Sequence, residues 1–202
     1  MPKSKVQIAS AALSSYCGTP RISSLDEDNK GARLCKLHYE DALAAVLEAH
    51  DWRFATGRAR LALLANDRSE WAYRYDMPNA ALTLRWVNEP ATARRLLAAN
   101  QHPDTPREFG VGCLYSDVAG AVAEFTRAMD DPSVYSQAFC DAVSAELAAR
   151  IVKQMTEDAQ AVSRTMAARV ETLEQAVLHD YRQRPTEDFS GDVPSWLAER
   201  GV

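Results

Sequence analysis

From Phe139 onward the apolar residues fall one helical turn apart. Phe139, Val143, Leu147 and Ile151 share one face, as a helix packed on a core requires. The turn Asp130-Asp131-Pro132-Ser133 precedes them, and its proline suits the first turn of a helix, where a missing N–H costs nothing. The pattern predicts a helix over 133–155. A second, over 157–181, runs through Ala159, Val162, Met166, Val170, Leu173 and Val177, with Thr156 as its N-cap and Glu157 and Asp158 at its positive end. So short a break predicts an antiparallel hairpin or a kink. Toward the N-terminus, Ile8, Ala11, Ala12 and Ser15 line one face of a helix over 3–17, which Gly18-Thr19-Pro20 stops. Ala32, Cys35, Tyr39, Ala42, Leu43, Val46 and Leu47 predict another over 29–50, and Trp52 and Phe54 follow it where two aromatic rings can lock its end into the core.

The period changes in the middle of the chain. Trp71-Ala72-Tyr73-Arg74-Tyr75 alternates with a period of two, and Arg58 to Leu64 alternates in part, with Ala59, Leu61 and Leu63 on one side. Ala80 to Val87 fits a strand or a short helix, ended by Asn88-Glu89-Pro90. Glu108 to Gly112 and Cys113 to Asp117 read as short strands about a glycine-bearing turn, and Ala119 to Met129 as another. Asn100 to Pro106 reads as a loop. The predicted fold is mainly α, of the α+β class: a helical bundle with a small antiparallel β-sheet inserted over 55–130 and an extended C-terminal arm. One domain spans 1–182, and the arm, 183–202, carries Trp196 and Leu197 as its lone apolar anchor.

A hydrophobic fraction of 47% in 202 residues suffices for a real core. Net charge is −5, from 23 basic and 28 acidic residues, which argues against a generally basic nucleic-acid binder while leaving room for a local basic rim. No apolar run approaches the roughly 20 residues that span a bilayer, so no membrane partner is expected. The opening Met1-Pro2-Lys3-Ser4-Lys5 has no apolar region behind it and is not expected to act as a secretory signal. Cys17, Cys35, Cys113 and Cys140 form no CxxC pair and are expected to be reduced, buried and free of metal.

Candidate chemistry is thin. His38, Glu40 and Asp41 lack metal-ligand spacing and read as a solvated helix face, and His50 reads as a helix-end histidine bonding the last carbonyls. Gly110, Gly112 and Gly120 make no phosphate loop. No catalytic residue, cofactor or metal is expected. Arg53, Arg58 and Arg60, with Arg68, concentrate positive charge between Trp52 and Trp71. They suit either phosphate contacts or pairing with acids on neighbouring subunits, and the second reading is preferred. Trp71, Tyr73 and Tyr75 suit a core or a subunit interface better than a base-stacking platform.

Several blocks, taken in order, resemble the tail tubular protein A and head-to-tail adaptor family of tailed bacteriophages. They are the opening helix with Gly18-Thr19-Pro20-Arg21-Ile22-Ser23-Ser24-Leu25-Asp26-Glu27-Asp28, then His50-Asp51-Trp52-Arg53-Phe54-Ala55 leading into Arg58-Ala59. Trp71-Ala72-Tyr73-Arg74-Tyr75-Asp76-Met77-Pro78, the strand end at Tyr115 to Asp117 and the Asp130-Asp131-Pro132-Ser133 junction complete the set, and the resemblance covers about residues 6–180. It implies a non-enzymatic virion protein whose subunits close into a ring, a dodecamer, below the portal. That ring joins the DNA-filled head to the tail, with transient non-specific contact to DNA in its channel. The implied partners are the portal protein, a downstream tail or nozzle protein and further copies of the chain. The implied locations are the head–tail interface of the virion and, during assembly, the host cytoplasm. A closed ring needs a heterologous contact, for which Arg53, Arg58 and Arg60 against Glu70, Trp71, Tyr73 and Asp76 are the candidates. Pro194, Trp196 and Leu197 are the candidates for portal docking. A DNA-binding packaging accessory and a small enzyme with an unrecognised site are the alternatives.

Overall fold

Ser136 starts the central helix: its Oγ accepts from the Phe139 N–H at 3.1 Å, satisfying one of the amides that a helix start leaves bare. The computed structural model of the chain describes residues 4–79, 81–88 and 105–183. Within them the helices are α1 (Lys5–Ala11), α2 (Lys30–Glu48), α3 (Gln137–Met155) and α4 (Ala159–Arg182). The strands are β1 (Thr56–Arg60), β2 (Leu63–Leu64), β3 (Tyr73–Asp76), β4 (Ala81–Asn88), β5 (Arg107–Gly110), β6 (Cys113–Ser116) and β7 (Val122–Arg127). The fold is α+β.

α3 is buried almost all round. Phe139, Val143, Leu147 and Ile151 fill one face, and the small Ala142, Ala145, Ala148 and Ala149 let neighbours come close on the others. α1, α2 and α4 all pack against it. Asn29 caps α2 by accepting from the Ala32 N–H at 2.8 Å, and α1 runs into a π-helical turn, Ala12–Tyr16. The break between α3 and α4 differs from expectation in one respect. Thr156 closes α3, its N–H reaching the Val152 carbonyl, and Asp158 caps α4, accepting from the Gln160 N–H at 2.8 Å. Both side chains can cap, and the one at the last extended residue takes the role.

The described residues form two antiparallel sheets rather than one. The first has three strands in the order β1-β7-β4, and the second has four in the order β2-β3-β6-β5. The chain changes sheet between Arg60 and Leu63. Leu61 still bonds back toward the first sheet, its N–H reaching the Ala121 carbonyl at 2.8 Å, and its side chain is buried. The alternation expected through Arg58–Leu64 therefore breaks, and Leu63 is exposed instead of sharing the buried side with Leu61. Gly57 on β1 lies against Phe125 and Arg127 of β7, where a Cβ would stand only 2.7 Å from the Phe125 ring. The segment 80–87, open between helix and strand by its pattern, holds the strand β4 from Ala81 on.

Two apolar cores result. One joins the helices with Trp52, Tyr135 and Phe139. The other draws Leu61, Tyr75, Val87, Leu114, Val118, Ala121, Ala123 and Phe125 from both sheets. Arg85 on β4 spans the two parts, its Nε pairing with Asp51 at 2.9 Å and its Nη1 donating to Thr56 at 2.8 Å.

All four cysteines are buried and none of them is in a disulfide. Burial pushes the Cys17 thiol up to about 11 and the Cys35 thiol up to about 12, away from the thiolate that reacts. A thiol reagent should label the native protein slowly and find four groups after unfolding without reductant. Fewer than four would contradict this arrangement.

Candidate assembly surfaces

The outer face of the second sheet carries a row of directly opposed residues, Leu64, Arg74, Tyr115 and Glu108. The loop 65–72 crosses this row and is pinned to it. Tyr115 donates to Asp67 at 2.8 Å, and Arg74 pairs with the other Asp67 oxygen at 3.2 Å. The Arg68 guanidinium lies 4.5 Å over the Tyr115 ring and pairs with Glu108, to which the Trp71 indole N–H also donates at 3.1 Å. Asp117 accepts from the Ala72 N–H at 2.9 Å and holds the loop's far end.

These bonds set the local acid–base behaviour. The Tyr115 hydroxyl holds the Asp67 carboxyl below its ordinary value, and Arg68 followed by Trp71 does the same for Glu108. A depressed carboxyl contributes stability above its unfolded value and loses it as pH falls through the folded one. The loop should therefore release in acid, below about pH 4. The Trp71 indole N–H resonance should then move to its exposed position, and Glu108→Ala, which removes the acceptor, should place it there already at neutral pH. A resonance that stays fixed as pH falls from neutral until the whole protein unfolds would count against the pinned loop.

The residues expected at the subunit contact fall on different elements. Arg53 opens the 3₁₀ turn Arg53–Ala55 and donates to the Gln183 carbonyl. Arg58, on β1, pairs with Glu124 of its own chain at 2.5 Å, so an acid on the next subunit is not needed to neutralise it. Arg60 ends β1, exposed, with its guanidinium beside Gly120. Glu70 and Asp76 are exposed, whereas Trp71 and Tyr73 are half-buried. The Tyr73 ring packs on Tyr75, 6.1 Å between centroids. Pro194, Trp196 and Leu197 lie outside the described residues, as do most of the expected loop 100–106 and the arm from residue 184.

Two features escaped the sequence reading. His50 does not bond the last carbonyls of α2; its Nε2 lies 3.3 Å from Asp180 Oδ2 on α4, with both side chains only 9% exposed. Its ring sits between Trp52 and Tyr181, centroids 4.9 and 5.1 Å away. An open groove of about 400 Å³ adjoins this pair, lined in part by Trp52, Phe54, Val134 and Ser136. The Ser136 hydroxyl is already engaged as the cap of α3. The second feature is a set of exposed large apolar side chains on the second sheet: Leu63, Phe109 and, at the β5–β6 turn, Val111. Gly112, at φ +67°, makes that turn possible. The residues at 109–112 alternate apolar and glycine, which marks the turn but not its exposure.

Among the described residues no group of three or more His, Cys, Asp or Glu is placed to hold a metal ion, and no helix is long and apolar enough to cross a membrane. No model of a known protein family matches the chain, and a search of curated proteins finds no match either.

Proposed function

We propose that this protein is a head-to-tail adaptor of a tailed bacteriophage, a virion structural component that closes into a dodecameric ring below the portal and lines the DNA exit channel. The proposed architecture is a helical bundle around α3 that forms the ring body, with the β region inserted between α2 and α3 as a separate module. The observation that carries the reading is that module. It has its own apolar core, and its second sheet exposes Leu63, Phe109 and Val111. Large apolar side chains grouped on one sheet suit an assembly surface. The order of segments resembling the adaptor family agrees with it.

In this reading Arg53, Arg58 and Arg60 of one subunit face Glu70, Trp71, Tyr73 and Asp76 of the next, and the arm with Pro194, Trp196 and Leu197 docks on the portal. The portal, a downstream tail or nozzle protein and DNA in transit are the proposed partners, in the virion and in the host cytoplasm during assembly. Electron microscopy of the protein with its portal tests this. Trp71→Ala, at a half-buried site, should leave the monomer's melting temperature nearly unchanged while weakening rings, and so should charge reversal at Arg60; charge reversal at Arg58 should weaken rings and also lower the melting temperature, because it sets an acid against the buried Glu124. Normal rings from all of these variants would move the contact elsewhere. Deleting 191–202 should keep the fold and abolish portal binding. Salt-dependent DNA binding by a persistent monomer would favour the packaging-accessory reading instead.

A further inference from the structure

Among the described residues the second sheet has four strands, β2-β3-β6-β5, antiparallel at every step, so its outermost strands, β2 and β5, run in opposite directions. Rotation about a ring axis carries one copy onto the next with strand direction nearly preserved. The β5 edge of one copy therefore meets the β2 edge of the next in antiparallel orientation, and the alternation continues without a break. The first sheet has three strands, so the same operation would bring its two edges together parallel. Parity thus singles out the second sheet.

Its edges carry the side chains such a join needs. Leu63 lies opposite Tyr75, Tyr75 opposite Leu114 and Leu114 opposite Phe109, which makes one row on one face. The middle pair is buried, while the ends are open: Leu63 is 65% and Phe109 56% exposed. Edge strands are commonly guarded by charge, and β1 of the first sheet fits that rule with Arg58 and Arg60. β2 is Leu63–Leu64, with no charge at all.

We infer that β5 of one copy adds to β2 of the next, with Phe109 packed against the neighbouring Leu63, so that the second sheet runs continuously around the ring. This rests on the ring reading and names its seam. The join also brings two of the charged and aromatic sets together. Trp71 reaches across to Glu108 on β5, which puts Glu70 and Trp71 toward that edge, and Arg60 stands three residues before Leu63 at the other. Tyr73 and Asp76 sit on β3, one strand in from the β2 edge. With only two residues in β2, the edge offers few backbone bonds, so each seam is weak alone and holds when ring closure fixes both edges of every copy.

Cysteine pairs test the seam. The native cysteines are buried, and positions 63 and 109 are exposed enough to accept substitution. The protein carrying both Leu63→Cys and Phe109→Cys, assembled with its portal and then oxidised, should give a ladder of covalent multimers on a non-reducing denaturing gel. Either substitution alone should give only monomer, because each copy offers a different residue to the seam. Phe109→Lys should weaken ring assembly about tenfold or more with an unchanged melting temperature. Rings seen by microscopy without a ladder would overturn the seam and leave the ring reading standing. Covalent dimers from a single substitution would show a twofold contact and overturn the seam as well. A protein that stays monomeric at every concentration, with and without portal, would overturn the ring reading and the seam with it.

Discussion

Replacing Trp52 by alanine should cost about 3–5 kcal/mol of stability, the range for emptying a buried aromatic site. Trp52 is buried at the end of α2, and its indole N–H donates to the Val46 carbonyl at 2.7 Å. Its ring meets Phe139 edge-on at 4.9 Å, and Phe139 in turn meets Phe54 at 4.9 Å and Tyr135 at 4.8 Å. These rings come from the end of α2, the 3₁₀ turn after it, the approach to α3 and α3 itself, so removing one opens a cavity where four segments converge. In a domain of this size each kcal/mol moves the melting temperature by about 2–4 °C. The expected drop is therefore on the order of 10 °C in a thermal melt. A drop no larger than that of Trp71→Ala would contradict the placement of the core.

Arg85→Met should be nearly as damaging, for a different reason. The Arg85 side chain is 7% exposed and so is that of Glu124, 3.7 Å away. Its guanidinium also donates to Thr56 and Thr126 at 2.8 and 3.1 Å and pairs with Asp51 at 2.9 Å. Removing one partner of a buried pair strands the other, which typically costs about 3–5 kcal/mol. Arg58 still reaches Glu124, which places the expected loss at the lower end. Because Asp51 belongs to the helical part and Thr126 to the first sheet, denaturant unfolding should also become less cooperative. The double variant Arg85→Met with Glu124→Gln should recover part of the loss, since it removes the stranded charge. A double variant less stable than Arg85→Met would show that Glu124 is held by other groups.

The helices could be read from the sequence because their apolar spacing is local and their caps are short-range. Phe139 to Ile151 and Ala32 to Leu47 needed no knowledge of the rest of the chain. The cap was placed at Thr156 rather than Asp158, because both side chains can accept from a helix start and only the backbone decides between them. Strands were visible as alternation, yet pairing was not. β1 joins β7 through partners such as Arg58 and Glu124, 66 residues apart. Nothing in a period of two says that Leu61 turns inward to one sheet while Leu63 starts another. The His50–Asp180 contact spans 130 residues and was hidden for the same reason. On the candidate surface, the arginines and aromatics were legible as residue types. Their partners within the chain, Glu124 for Arg58 and Glu108 for Trp71, were set by strand pairing and by the path of the loop 65–72 across the second sheet.

The mass of the native protein, measured alone and then with the proposed portal partner, tests the adaptor proposal most directly. The account predicts a closed ring that co-purifies with the portal at one adaptor chain per portal chain. A monomer that neither assembles nor binds the portal would contradict it.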